Sequence, residues 1–165
     1  AGDSAGGEAM EMNEKIVRTA DGYDRIDGRN ARRSAVKRLT LGAPVMEEHK
    51  NMPIAAQIWK ENSKGELEVG CELPIHQVFD LAIFLSRALL YFKEAYRMPL
   101  LYDPACPVVE RIGIQGDAMT VAVCTDNPNL NGDIAAFSQS INDLGELTGE
   151  RLRRLTNILE ELEYS

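Results

Sequence analysis

Apolar and polar residues alternate along this chain with three different periods. The longest apolar run, Val78 to Phe92, has helical length and is apolar on nearly every face. A helix of that kind is enclosed, either at the centre of a core or in a subunit interface. The pattern predicts a helix from near His76 that stops by Met98, because Pro99 disfavours helical geometry in the residue before it. One domain of this size has difficulty enclosing such a helix alone.

A second pattern runs from Asp133 to Glu163. Ile134, Ile141, Thr148, Leu155 and Leu162 recur every seventh residue, with Phe137, Leu144, Arg151 and Ile158 in the alternate slot. This is a heptad seam. Gly145 and Gly149 each cost about 1 kcal/mol in a helix interior relative to Ala, so a kink or two helices are expected there.

The third period is two. Ile54–Lys60 and Leu67–Leu73 alternate as strands around the turn Asn62-Ser63-Lys64-Gly65. A second hairpin is expected from Val109–Ile114 and Met119–Thr125, turning at Gln115-Gly116-Asp117, and residues 127–132 read as a loop. The stretch from Ile16 to Met52 is mixed. Turn signals at Asp21-Gly22, Asp27-Gly28 and Gly42-Ala43-Pro44 frame a short helix, Asn30 to Leu41. The expected fold is α+β: a single domain with a four-stranded antiparallel sheet in β-β-α-β-β-α order, helices packed on one face, plus the short N-terminal helix. It is expected to span residues 12–165. Residues 1–11 are small, polar and aperiodic and read as a disordered leader or appended segment, with Met12 a natural start.

Composition narrows the function classes. Of 165 residues 44% are hydrophobic and 27% charged, as in folded soluble proteins. A net charge of −8 repels phosphate, which argues against nucleic-acid and anionic-membrane partners. Cys71, Cys106 and Cys124 are odd in number and show no C-x-x-C pairing, so reduced thiols in the cytoplasm are expected. The run from Val78 to Phe92 carries Asp80 and Arg87 and falls short of the roughly 20 residues a bilayer requires.

No phosphate loop, nucleophile elbow or zinc-protease motif occurs. Arg25, Arg29, Arg32, Arg33, Lys37 and Arg38 form the densest basic cluster. On a helix, Arg29, Arg32 and Arg33 share a face able to grip an oxyanion; a solvated helix face is the plainer reading. Asp21, Asp24 and Asp27 fall three apart where a calcium loop needs two, and no bidentate Glu follows, so turn formation is favoured over metal binding. Cys71, Glu72, His76 and Asp80 gather at a strand-to-helix junction, where His76 and Asp80 are one turn apart. Local capping outweighs catalysis there. His49 is the second of only two histidines, which disfavours a multi-histidine metal site. No cofactor is called for.

Tyr23-Asp24-Arg25-Ile26-Asp27-Gly28-Arg29, Arg38-Leu39-Thr40-Leu41-Gly42 and the stretch from Glu72 to Leu81 resemble signature segments of a family of bacterial proteins of unknown function. The resemblance covers the first two thirds of the chain. It implies a bacterial, cytosolic, stand-alone domain and supplies no activity. The expected role is a non-enzymatic protein-interaction module that homodimerises through the apolar helix and the heptad seam. Two alternatives stand beside it: an anion- or small-ligand-binding protein or enzyme using Arg29, Arg32, Arg33, His76 and Asp80, and an acidic neutraliser of a basic toxin.

Overall fold

A computed structural model describes residues 16–26, 34–94 and 102–164. Their elements are strands β1 (Ile16–Asp21), β2 (Val36–Gly42), β3 (Ala55–Glu61) and β4 (Leu67–Pro74), helix α1 (Ile75–Glu94), strands β5 (Val108–Ile114) and β6 (Asp117–Ala122), and helices α2 (Leu130–Asp143) and α3 (Gly145–Glu161). Contacts cluster into two compact units that meet within α1, after Ala82.

The first unit holds one antiparallel sheet in the order β1-β2-β3-β4. The β3–β4 hairpin is the one the alternation predicts. Asn62 Oδ1 accepts from the amides of Lys64 and Glu66, and Gly65 takes the positive φ of 77° that the turn needs and that a side chain would resist.

The predicted N-terminal helix is corrected. Residues 36–41 of the Asn30–Leu41 stretch lie in β2, paired with β1 on one side and β3 on the other, while 30–33 lie outside the described residues. The framing turn signals suggested a helix ending at Gly42, but Val36, Leu39, Thr40 and Leu41 suit a strand flanked by two partners. The mixed segment before it also contributes β1. The four-stranded sheet is therefore built entirely ahead of α1, and the second hairpin forms its own two-stranded sheet.

One face of the large sheet is closed by a loop where helices were expected. Gly42, Ala55 and Pro74 are aligned across it, as are Thr40, Gln57 and Glu72, and all six are buried. Residues 43–49, ending in a short 3-10 turn at Glu47–His49, cover this face. The opposite face carries Leu39, Leu41, Ile58, Cys71 and Leu73, all half-buried.

The second unit contains the β5–β6 hairpin. Its turn residues, Gln115 and Gly116, both have positive φ (52° and 84°), the twist a two-residue hairpin demands. The expected break in the heptad segment falls at Leu144, between α2 and α3. The loop before α2 is shorter than predicted, because the Asp133 carboxylate collects the Asn127 and Asn129 amides and starts the helix at Leu130. Phe92 of α1 stacks on Phe137 of α2, with ring centroids 6.0 Å apart.

Of the two enclosures that the apolar run predicts, a core within the chain is not what the described residues form. α1 has no buried residue along its 20 positions, and Phe79 and Leu85 are 57% and 52% exposed. Among the described residues the buried apolar side chains are Ala55, Trp59, Pro74 and Ile134.

Candidate functional site

A connected group of buried polar side chains lies on the loop-covered face of the sheet. Strand pairing places Thr40, Gln57 and Glu72 side by side on β2, β3 and β4, so their side chains meet across neighbouring strands. Gln57 and Glu72 are only 2% and 3% exposed. Buried polar groups of this kind are costly unless paired, and here every link is made. Trp59 Nε1 donates to Thr40 Oγ1 (2.8 Å), Thr40 Oγ1 donates to Gln57 Oε1 (2.8 Å), and Gln57 Nε2 donates to Glu72 Oε2 (2.8 Å) and to the Ala43 carbonyl (3.2 Å).

Glu72 is where this chain of bonds ends. Its Oε2 also accepts from the Val45 amide (2.7 Å), and its Oε1 from the Met46 amide (2.9 Å) and His49 Nδ1 (2.9 Å). Burial by itself would push the Glu72 carboxyl up. The donors from Gln57, Val45, His49 and Met46 outweigh burial and lower it from 4.5 to about 2. Glu72 is thus an ionised carboxylate that only accepts, which requires His49 Nδ1 to carry its hydrogen. With two donors on each oxygen, Glu72 has little capacity left for proton transfer. It clamps the 43–49 loop to the sheet.

Of the residues singled out from sequence, Arg29, Arg32 and Arg33 lie outside the described residues, as does Asp27. His76 is exposed and Asp80 half-buried in the first turns of α1, and among the described residues no hydrogen bond or ion pair joins them. The junction cluster is split by strand alternation: Glu72 faces the loop, and Cys71 the opposite side of the sheet. The histidine that meets Glu72 is His49, not His76. Two of the remaining basic residues, Lys37 and Arg38, serve the fold. Lys37 pairs with Asp24 at 3.2 Å, and Arg38 pairs with Asp21 while lying over the Trp59 ring.

Two concavities lie among the described residues of the second unit. A groove of about 790 Å³ between α1, α2 and α3 is mostly apolar, lined by Leu89, Phe92, Ile141 and Leu152 with Gly145 and Gly149. A smaller one of about 480 Å³ is lined by Arg87, Tyr91, Tyr102, Cys106 and Glu110, and there Arg87 pairs with Glu110 at 2.8 Å. Among the described residues no group of three or more His, Cys, Asp and Glu is arranged to hold a metal ion.

Residues 8–164 match the model of a family described as a family of unknown function, DUF6530. The match extends through the last third of the chain, beyond the segments that carry the sequence resemblance. No curated protein and no solved structure matches the chain.

Proposed function

Since the chain belongs to the DUF6530 family, to which no function is assigned, we propose from its own geometry that it is a non-enzymatic protein-interaction module working as a homodimer. The observation that carries this is α1, a 20-residue helix with no buried side chain. Exposed apolar residues lie on several of its sides, among them Ile75, Phe79, Phe84 and Leu90. Contiguous exposed apolar surface marks a contact. A helix of this length is about 30 Å long, enough for an interface on the scale of the roughly 800 Å² per partner that stable complexes bury.

A second copy of the chain is the occupant favoured here. By length and composition α1 is also apolar enough to cross a membrane, with a mean hydropathy of 1.3 over its most apolar window. It carries Asp80 and Arg87 in its interior, however, and Arg87 is tied to Glu110. Charged groups at such depth are expensive in hydrocarbon, whereas they are readily held at the polar rim of a protein interface. The saturated state of Glu72 supports a positioning role for the buried polar network over a chemical one.

Sedimentation equilibrium of the wild type and of Phe79→Asp with Leu85→Asp tests this reading. The expected result is a wild-type dimer at micromolar concentration and a monomeric variant whose far-ultraviolet circular dichroism is retained. A wild-type monomer up to tens of micromolar would overturn it.

A further inference from the structure

The groove between α1, α2 and α3 stays open where its own residues would let it close. Ala135 of α2 and Gly145 and Gly149 of α3 are on its wall, and small residues at a helix contact let the axes approach closely. A Cβ added at Gly145 would nevertheless meet no atom within 4 Å outside the backbone of its own helix, and one at Gly149 meets only the end of the Arg153 side chain, Nη1 at 3.2 Å. About 790 Å³ is left between the helices. Small-molecule sites hold about 300–1,000 Å³ and have apolar walls with a few polar groups. An apolar occupant would take those walls out of water, which is favourable.

The polar part of the wall says what kind of molecule fits. Lys93 is charged, Ser138, Asn142 and Thr148 supply neutral hydrogen-bonding groups, and no carboxylate is among the described residues that line the groove. Asp143, next along α2, is off the wall and accepts from Gln139 Nε2 at 3.1 Å. Arg153, lying against Gly149, brings a second cation from α3. In a chain with 26 acidic and 18 basic residues, an apolar groove bounded by cations is complementary to an anion.

We propose that this groove binds a single-chain amphiphile with an anionic head, of the long-chain carboxylate class. The chain lies along Leu89, Phe92, Ile141 and Leu152. Its head pairs with Lys93, and Arg153 adds to the positive field that draws it in. The site goes beyond the homodimer reading and does not depend on it, because Ile75, Phe79, Phe84 and Leu90, the exposed apolar residues of α1 that carry that reading, are not on the groove wall.

Isothermal titration calorimetry with dodecanoate, kept below its micelle concentration, tests the site. One saturable site per chain is expected. Each methylene buried is worth roughly fourfold in affinity, so octanoate is expected to bind at least about tenfold more weakly. Dodecylammonium, of the same length and opposite charge, is expected to bind at least about tenfold more weakly too, and Lys93→Glu to weaken dodecanoate by about tenfold. Gly145→Leu fills open space without meeting another part of the chain. That variant is expected to keep its circular dichroism and the wild-type oligomeric mass while losing dodecanoate, whereas Phe79→Asp, off the wall, leaves dodecanoate binding unchanged. Equal affinity for dodecanoate and dodecylammonium, or binding lost in Phe79→Asp and untouched by Gly145→Leu, would mean that exposed apolar surface takes up any chain, and would overturn the proposal. So would an absence of binding to wild type; if Gly145→Leu then also turned a dimer into a monomer, the groove would belong to a second copy.

Discussion

His49 Nδ1 lies 2.9 Å from Glu72 Oε1, joining a short 3-10 turn to the edge strand of the sheet across 23 residues of sequence. The bond belongs to a carboxylate whose side chain is fully shielded from solvent and which accepts four donors. That arrangement makes the loop-to-sheet contact of the first unit sensitive to one side chain.

Glu72→Ala leaves the Val45 and Met46 amides, the Gln57 amide and the His49 ring without their acceptor in a buried site. Truncations of this kind cost about 3–5 kcal/mol. Denaturant unfolding is expected to show a loss of that size for Glu72→Ala, and a smaller one, about 1–2 kcal/mol, for His49→Ala, which removes a single donor.

Acid should unfold the first unit through Glu72. Folding depresses this carboxyl, so the unfolded chain binds the proton more readily than the folded one. The stabilisation is fully present above the ordinary value of 4.5 and is lost as pH falls toward about 2. The separation between those values corresponds to about 3 kcal/mol. Stability measured by urea titration from neutral pH down to pH of about 2 is expected to fall through this window, and the Glu72→Gln variant to lose that part of the slope.

Trp59 is the chain's one tryptophan and is buried, with its Nε1 held by Thr40. Its fluorescence therefore reports on the first unit alone. Native emission is expected at short wavelength, shifting to the red as the sheet opens. Thr40→Val removes the acceptor of the indole N–H and the donor to Gln57 while keeping the side chain's shape. It is expected to cost about 1–3 kcal/mol in the same titration.

Several elements were legible because a local rule dictates them. Asn62-Ser63-Lys64-Gly65 and Gln115-Gly116 have turn chemistry independent of distant contacts, and Gly145 marks the division between α2 and α3. The first unit was less legible because its buried face is the polar one. Thr40, Gln57 and Glu72 point inward while Leu39, Leu41 and Ile58 are only half-buried, so a hydrophobic alternation assigns these strands the wrong inner face. In β2 the turn signals on either side then suggested a helix. The partnership of Glu72 with His49 has no sequence signal at all, since the loop that brings them together is set by tertiary hydrogen bonds. His76 is nearer in sequence and has no bond to Glu72. The apolar run was correctly read as a helix, but its enclosure depends on what packs against it, which composition does not specify.

The turn at Gly116 offers a separate check on the second unit. With φ at 84°, Gly116→Ala is strained even though a Cβ there meets no atom within 4 Å. A loss of about 1 kcal/mol in stability is expected from thermal unfolding, without a change in oligomeric mass.

The account turns on α1 meeting a second copy of the chain. Light scattering on the purified protein across a concentration series, from sub-micromolar to tens of micromolar, addresses that most directly. The account predicts a mass of twice one chain at micromolar concentration, falling toward one chain on dilution. A mass of one chain throughout, with the protein folded by Trp59 fluorescence, would contradict it.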